Sequence, residues 1–374
     1  MRVAKPSMLR LMRPASACYN RRLIGLDASY SLDRQPTGVG VYSDRLLHGL
    51  AATHRDTSFA WCYRAHRFRR ACSNRALPPN AYRRLLLEGG PWTWSPPQLF
   101  HGLNQRLPQR KRSPSIATFH DLFVLSAEYS TAEFRQRFAE QALHAADCAD
   151  LIIAVSHFTS SQVQNHLGVP ASRIRVIPHG VDIPIPPIGA PPDGGQRLPI
   201  ILHLGAIQKR KNLVRLVEAF SQTPPEWELH LAGSMGYGSD EVFAAIDRSP
   251  HRARIRTPGY LSPAALEAAY RTASIFAFPS LDEGFGIPVL EAMAHGIPVV
   301  TSNRSALPEA AGGAAWLVEP EDTEALGATL RQLCQDPELR AHWRARGLVR
   351  AADCSWQHAV DETWRVYEEL LGTA

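Results

Sequence analysis

Apolar residues in this chain gather in short runs, and most runs are followed by a loop and then by a segment with helical spacing. In the first half the runs are 23–28, 115–119 and 151–155; in the second they are 200–204, 228–231, 275–278, 298–301 and 315–318. Each is short enough to be a buried strand. A helix is expected over 40–53, after the turn Gly38-Val39-Gly40, and another over 131–146, where Phe134, Phe138, Ala142 and Ala145 recur on one face. Strands alternating with helices predict parallel sheets in an α/β fold. Residues 183–195 are too rich in proline and glycine for either element and read as a semi-rigid linker. From Trp356 onward, Val360, Trp364, Tyr367, Leu370 and Leu371 line one face of an amphipathic helix.

Length and composition then divide the chain. Its 374 residues exceed one ordinary core and suit two domains. The expected division is a basic, disordered arm over 1–22, a first α/β domain over 23–183, a linker over 184–198, a second α/β domain over 199–355 and a final helix over 356–374. With 45% hydrophobic and 20% charged residues the chain reads as globular. No apolar run approaches the roughly 18 residues of a membrane span. The arm carries Arg2, Lys5, Arg10, Arg13, Arg21 and Arg22 without an apolar core, so it reads as a tail, or as sequence upstream of the native start, and not as a secretory signal. Six cysteines show neither C-x-x-C nor paired spacing, which argues against a disulfide framework and against structural zinc, and for a cytoplasmic setting.

The net charge of +6 is unevenly placed. Arg64, Arg67, Arg69, Arg70, Arg75, Arg83 and Arg84 interleave with Trp61, Tyr63, Phe68 and Tyr82, followed by Trp92, Trp94 and Arg110-Lys111-Arg112. Such a face suits an anionic membrane surface, with Arg64, Arg67, Arg69 and Arg70 as the membrane or acceptor patch; the plainer reading is a solvated arginine-rich surface. Nothing resembles a motif that reads nucleic acid, so no nucleic-acid partner is expected.

The most specific chemistry lies in Asp282-Glu283-Gly284-Phe285-Gly286-Ile287-Pro288-Val289-Leu290-Glu291. Gly284 and Gly286 leave backbone amides uncovered where a helix starting near Ile287 presents unpaired N–H groups and its positive dipole end, an arrangement that binds phosphate. Glu283 stands on the loop, and Glu291 lies about two turns of helix further on. Two carboxylates beside a phosphate suit the hydroxyls of a sugar joined to a diphosphate. A capped core helix with incidental glutamates is the alternative.

The surrounding residues resemble the donor-site signature of the family-4 retaining glycosyltransferases, which have the GT-B fold. Residues 201–213, Ile-Leu-His-Leu-Gly-Ala-Ile-Gln-Lys-Arg-Lys-Asn-Leu, look like the family's strand, glycine turn at Gly205 and basic pair Arg210 and Lys211. Residues 176–182 resemble the strand before the interdomain linker; Gly233, at the end of Leu231-Ala232-Gly233, and Pro258-Gly259-Tyr260-Leu261 resemble the walls of the nucleotide pocket. The resemblance runs from about Gly25 to the C-terminus. It implies two Rossmann-like domains facing across a cleft, the final helix crossing back to the first, and transfer of a sugar from a nucleotide diphosphate to an acceptor hydroxyl. It further implies that Arg210 and Lys211 neutralise the diphosphate, that Glu283 holds the transferred sugar and Glu291 the ribose, and that Gly205, Gly233, Tyr260, Leu261, Gly284, Phe285 and Gly286 line the donor site. His120 resembles the cleft histidine and is expected where the third parallel strand of the first domain ends; Gly38 and Gly40 resemble the glycine loop that approaches from that side. His101-Gly102 and Ser156-His157-Phe158 look like family markers of mainly structural value.

Where many relatives carry an arginine after the strand-end glycine this chain has Ala206, which favours a mannosyltransferase-like branch and GDP-mannose, with dTDP-rhamnose or a UDP-sugar as alternatives. No D-x-D occurs, so neither metal nor other cofactor is expected. Same-face substitution with retained configuration is the implied mechanism, and a saccharide or lipid-linked oligosaccharide of a bacterial surface polysaccharide the implied acceptor, at the inner face of the membrane. A nucleotide-sugar epimerase and an inactive scaffold of the same fold are the competing classes.

Overall fold

Two all-parallel sheets, each covered by helices on both faces, make up the computed structural model of the protein, which describes residues 22–33, 35, 37–74, 76–86, 96–184 and 197–372. The basic arm up to residue 21, Arg75, Trp92, Trp94 and linker residues 185–196 lie outside the described residues.

The first sheet contains β1 (Leu23–Asp27), β2 (Ser58–Arg64), β3 (Ala81–Leu86), β4 (Leu99–Gly102), β5 (Ser115–Phe119), β6 (Leu151–Ala154) and β7 (Ile174–Val176), in the order β3-β2-β1-β4-β5-β6-β7. The second contains β8 (Leu198–Leu204), β9 (Glu228–Ala232), β10 (Ile255–Gly259), β11 (Ala273–Phe278), β12 (Val299–Ser302) and β13 (Trp316–Val318), in the order β10-β9-β8-β11-β12-β13. Burial on both faces explains why β6, and β11 from Ile275 to Phe278, read as unbroken apolar runs instead of alternating ones. In each sheet the order reverses once, between β1 and β4 and between β8 and β11, and ligands of such sheets bind outside the carboxyl ends at these points.

Two expectations are corrected here. The segment read as a basic aromatic face is mostly sheet interior: β2 buries Trp61 and Tyr63 to 2% and 3% exposure. Arg64 ends that strand with its guanidinium 3.0 Å from the Asp27 carboxylate, both nearly excluded from water, so it belongs to a buried ion pair and not to a surface patch. His120 follows β5, the fifth strand along the chain, because β2, β3 and β4 precede it.

Helix Trp356–Leu371 crosses back to the first domain. Its Ala359, Val360, Val366 and Tyr367 join Tyr42, Leu46, Leu47 and Leu50 of helix Gly38–Thr53 in one core cluster. Just before it, Val181 donates its N–H to the Cys354 carbonyl (2.9 Å) and pairs in parallel with Ser355. The two passages of the chain between the domains therefore run side by side.

Candidate active site

The second domain supplies a compact basic turn. Gly233 lies at φ +155°, and a Cβ there would stand 1.8 Å from the Gly205 carbonyl oxygen, so only glycine lets the ends of β8 and β9 approach this closely. Beyond them the two loops continue as a ladder: the Ile207 N–H donates to Ser234 O (2.8 Å), Gly236 N–H to Ile207 O (2.9 Å) and Lys209 N–H to Tyr237 O (2.8 Å). That ladder leads into a tight turn at Lys209–Lys211, closed by Asn212 in the left-handed region, whose side-chain amide donates to Pro279 O and Pro320 O.

The turn and the loop after β11 meet in one ionic cluster. Lys211 Nζ stands 2.5 Å from Glu283 Oε1, and Arg210 Nη1 stands 2.7 Å from Glu283 Oε2. All three are buried, at 7%, 7% and 8% exposure for Arg210, Lys211 and Glu283. The Arg210 guanidinium also donates to the Asp282 carbonyl and lies 4.3 Å from the centre of the Phe123 ring, while Lys211 Nζ lies 4.6 Å from that of Phe278. Two cations share one carboxylate, and the titration behaviour follows. Burial alone would raise the Glu283 carboxyl, but Arg210 and Lys211 hold it down to about 2. Burial lowers Lys211 to about 8 in spite of Glu283, with Arg210 adding to the effect. Asp121, facing the cluster from the first domain, is raised to about 6 by burial, against the pull of Arg210.

Helix Ile287–Ala294 begins after Gly286, whose φ of +114° suits glycine. Glu291 sits on it and accepts a hydrogen bond from the Tyr270 hydroxyl at 2.7 Å, so its carboxylate is separate from the Glu283 cluster in its partners.

The first domain closes directly onto this loop. A Cβ on Gly284 would lie 1.7 Å from the His120 carbonyl oxygen. The Gly284 carbonyl accepts from Ser156 Oγ (2.7 Å) and Thr159 Oγ1 (3.0 Å), and Ser126 Oγ donates to Asp282 Oδ2 (2.7 Å). Gly38 stands at the start of its helix, with the space of a Cβ 3.5 Å from the Ile287 side chain; Gly40, buried, lies within the same first turn. His120 is buried, its Nε2 2.9 Å from Leu103 O, with burial lowering its pKa to about 4. The Phe285 ring packs at 5.0 Å against His179.

The structure thus brings together Arg210, Lys211, Glu283, Gly205, Gly233, Gly284, Phe285, Gly286, His120 and Gly38 at the facing carboxyl ends of the two sheets. Tyr260 and Leu261 follow β10, two strands from β8 at the sheet edge, with Tyr260 exposed and Leu261 packed on the second core. Arg67, Arg69 and Arg70 lie on helix Ala65–Asn74 after β2; Arg67 pairs with Asp33, Arg69 is exposed and Arg70 half-buried. Among the described residues no three His, Cys, Asp or Glu side chains converge as a metal site. Sequence reasoning gave no role to Phe123, Asp121, Ser126, Thr159, Tyr270 or His179, and it read Ser156 as structural. The position of Ser156 just past the end of β6, as His120 lies just past the end of β5, was the available signal.

Comparison with known proteins agrees with this architecture. Residues 194–349 match the family described as glycosyl transferases group 1, and residues 36–184 match glycosyltransferase family 4. The O-antigen chain mannosyltransferase B of Escherichia coli is 33% identical over 73% of this chain and 74% of its own length. The MMP alpha-(1->4)-mannosyltransferase of Mycolicibacterium hassiacum is 29% identical over 69% of this chain and 66% of that protein. Among solved structures, a sucrose-phosphate synthase from Thermosynechococcus elongatus superposes with a TM-score of 0.75 at 20% identity, covering 95% of this chain and all of that one. Anabaena HepE in complex with UDP and glucose superposes at 0.69 and 19% identity, covering 93% of this chain and 99% of that one. With its two facing Rossmann-like domains and matches in both halves, the chain belongs to glycosyltransferase family 4, the group 1 glycosyltransferases of GT-B fold.

Proposed function

We propose that this glycosyltransferase moves mannose from GDP-mannose to a hydroxyl of a growing, lipid-linked surface polysaccharide, with retention of configuration. The observation that carries the reading is the Arg210–Lys211–Glu283 cluster at the mouth of the glycine loop. A leaving diphosphate develops negative charge, and a preformed pair of buried cations stabilises it without having to reorganise. In the free enzyme Glu283 satisfies both cations; when the diphosphate takes its place beside them, that carboxylate becomes available to accept hydrogen bonds from sugar hydroxyls. Glu291, already held by Tyr270, accepts from the ribose. No carboxylate is assigned as a covalent nucleophile. The leaving phosphate takes the acceptor proton on the same face. His120 flanks the reacting sugar from the first domain.

The mannose assignment is supported by the naming of the Escherichia coli and Mycolicibacterium relatives as mannosyltransferases, and the polysaccharide assignment by the O-antigen name of the former. Two cations beside a helix start can neutralise a diphosphate with no metal, so transfer is proposed to persist in a chelator. No described helix is long and apolar enough to cross a membrane. Peripheral contact with the inner leaflet is proposed for Arg69 and Arg70 with the exposed run Arg110-Lys111-Arg112.

The deciding experiment is a thermal-shift panel of GDP-, UDP-, dTDP- and ADP-sugars, followed by transfer assays with the stabilising donor. A ligand at 100 times its dissociation constant adds about 2.7 kcal/mol to stability. Stabilisation by GDP-mannose alone supports the reading; stabilisation by a UDP- or dTDP-sugar overturns the donor; a folded protein silent to every donor overturns the function.

A further inference from the structure

His179 lies outside the glycine loop and the basic turn, yet it is the side chain whose ring nitrogen faces that of His120, beside the Tyr42 ring at 4.7 Å. Its Nε2 stands 3.4 Å from His120 Nδ1, and the two rings stack with centroids 5.3 Å apart. His179 is 4% exposed, and its own Nδ1 is buried without a hydrogen-bond partner. Its ring is held by three elements: Tyr42 of helix Gly38–Thr53 at 5.0 Å, Phe285 of the glycine loop at 5.0 Å and Trp356 of the crossover helix at 5.9 Å.

The partners fix where the protons are. The Leu103 carbonyl can only accept, so His120 Nε2 carries a proton. A neutral imidazole then has a lone pair at Nδ1, and the group facing that lone pair is His179 Nε2, which must be the protonated nitrogen of its ring. His179 Nδ1 is left as an acceptor among aromatic rings. Burial lowers the pKa of both histidines, which keeps them neutral and the arrangement intact at physiological pH.

We propose that His179 is a positioning residue for the transfer reaction: its Nε2–H holds His120 at Nδ1 while the Leu103 carbonyl holds the opposite nitrogen, so the cleft histidine meets substrate in one orientation and one tautomer. The proposal rests on the transferase reading of the cleft. It also assigns the long contact, 3.4 Å against 2.9 Å, as the one that a substrate hydroxyl exchanges with, since a donor from the sugar can take over the Nδ1 lone pair more easily than it can displace the carbonyl.

The test compares full-length His179→Gln, His179→Phe and His179→Asn with the parent chain. The glutamine amide reaches the position of Nε2 and retains a donor; phenylalanine fills the ring space without one; asparagine is polar but reaches only the Nδ1 position. Removing the partner that orients a functional histidine costs roughly tenfold to a hundredfold in metal sites, and a fall of that order in kcat, at unchanged donor KM, is expected for His179→Phe and His179→Asn. His179→Gln is expected to recover most of the loss. Equal turnover in the parent and the phenylalanine variant, or a glutamine variant as impaired as the other two, overturns the proposal. A readout independent of turnover is the 15N resonance of His120 Nδ1, which should shift toward that of an unbonded acceptor in the phenylalanine and asparagine variants and stay in place in the glutamine variant. An unmoved resonance in all three overturns the proposal whatever the kinetics. If the parent chain transfers no sugar, the functional reading fails, and the resonance still decides the role of His179.

Discussion

Lys211 and Glu283 touch, and because both have lowered pKa values the stability each contributes rises with pH, over two separate ranges. Glu283 is held at about 2 in the folded chain against an ordinary value near 4.5, so its contribution to stability is present above pH 4.5 and is lost as pH falls through 2. Lys211 is depressed to about 8 against 10.5, so between those values the unfolded chain keeps a proton that the folded one releases, and stability from this group rises with pH. The useful cation disappears over the same range. We expect kcat/KM for the donor to fall above about pH 8, and Lys211→Arg to move that fall upward by more than one pH unit, which a pH–rate profile checks. Unequal costs are also expected. Glu283→Ala leaves two buried cations without their shared counter-charge and should destabilise by about 3–5 kcal/mol. Lys211→Ala leaves the Arg210–Glu283 pair standing and should cost less; urea unfolding of the two variants gives the comparison. At this scale the sequence was readable where chemistry and spacing coincide, as at Arg210, Lys211 and Glu283. It was silent where a side chain acts through folding alone: Asp121, Phe123 and Ser126 lie more than 70 residues from the groups they face.

Among the elements, the glycine loop is the one whose position everything else depends on. Gly284 is required by the His120 backbone and not by its own dihedral angles, since a Cβ there would stand 1.7 Å from a carbonyl oxygen of the other domain. Gly284→Ala is therefore expected to wedge the domains apart, abolishing transfer while leaving the far-UV spectrum unchanged. The apolar runs at 23–28, 115–119, 151–155, 200–204, 228–231, 275–278, 298–301 and 315–318 all correspond to strands, because strands covered on both faces carry few polar positions to blur the pattern. Strands β2 and β3 escaped because a reading by charge places arginines at the surface. Arg83 and Arg84 break the run of β3, and the unbroken apolar run 59–63 of β2 was absorbed into the basic face that Arg64 begins; in the fold Arg64 ends β2 against Asp27, and Arg84 is 5% exposed in β3. The register that puts Asp27 opposite Cys62, two residues before Arg64, is a tertiary fact that neither strand states alone.

At the scale of the whole molecule, the two-domain plan was legible from chain length and the proline-rich segment, and the crossing of the final helix from the resemblance. The side-by-side passage at Val181 and Ser355 was not, because its partners are separated by most of the second domain. Tyr367 ties the crossover helix to the first sheet: its hydroxyl bonds to His101 Nδ1 at 2.7 Å, and His101 Nε2 to Thr118 Oγ1 at 2.8 Å, which in turn meets Tyr42 at 3.0 Å. Tyr367→Phe leaves a buried imidazole nitrogen without its partner and should cost about 1–3 kcal/mol, read as a lower midpoint in denaturant. The same helix sets an order of events during synthesis. Ala359, Val360, Val366 and Tyr367 complete a core whose other members lie almost entirely within the first 177 residues. At about 5–20 residues per second on the ribosome, the domain made first must wait on the order of ten seconds or more, its apolar helix face uncovered, while the second domain emerges and folds ahead of it. The older half of the nascent chain is then the one that finishes last, and a chaperone that shields it during that interval would act on helix Gly38–Thr53.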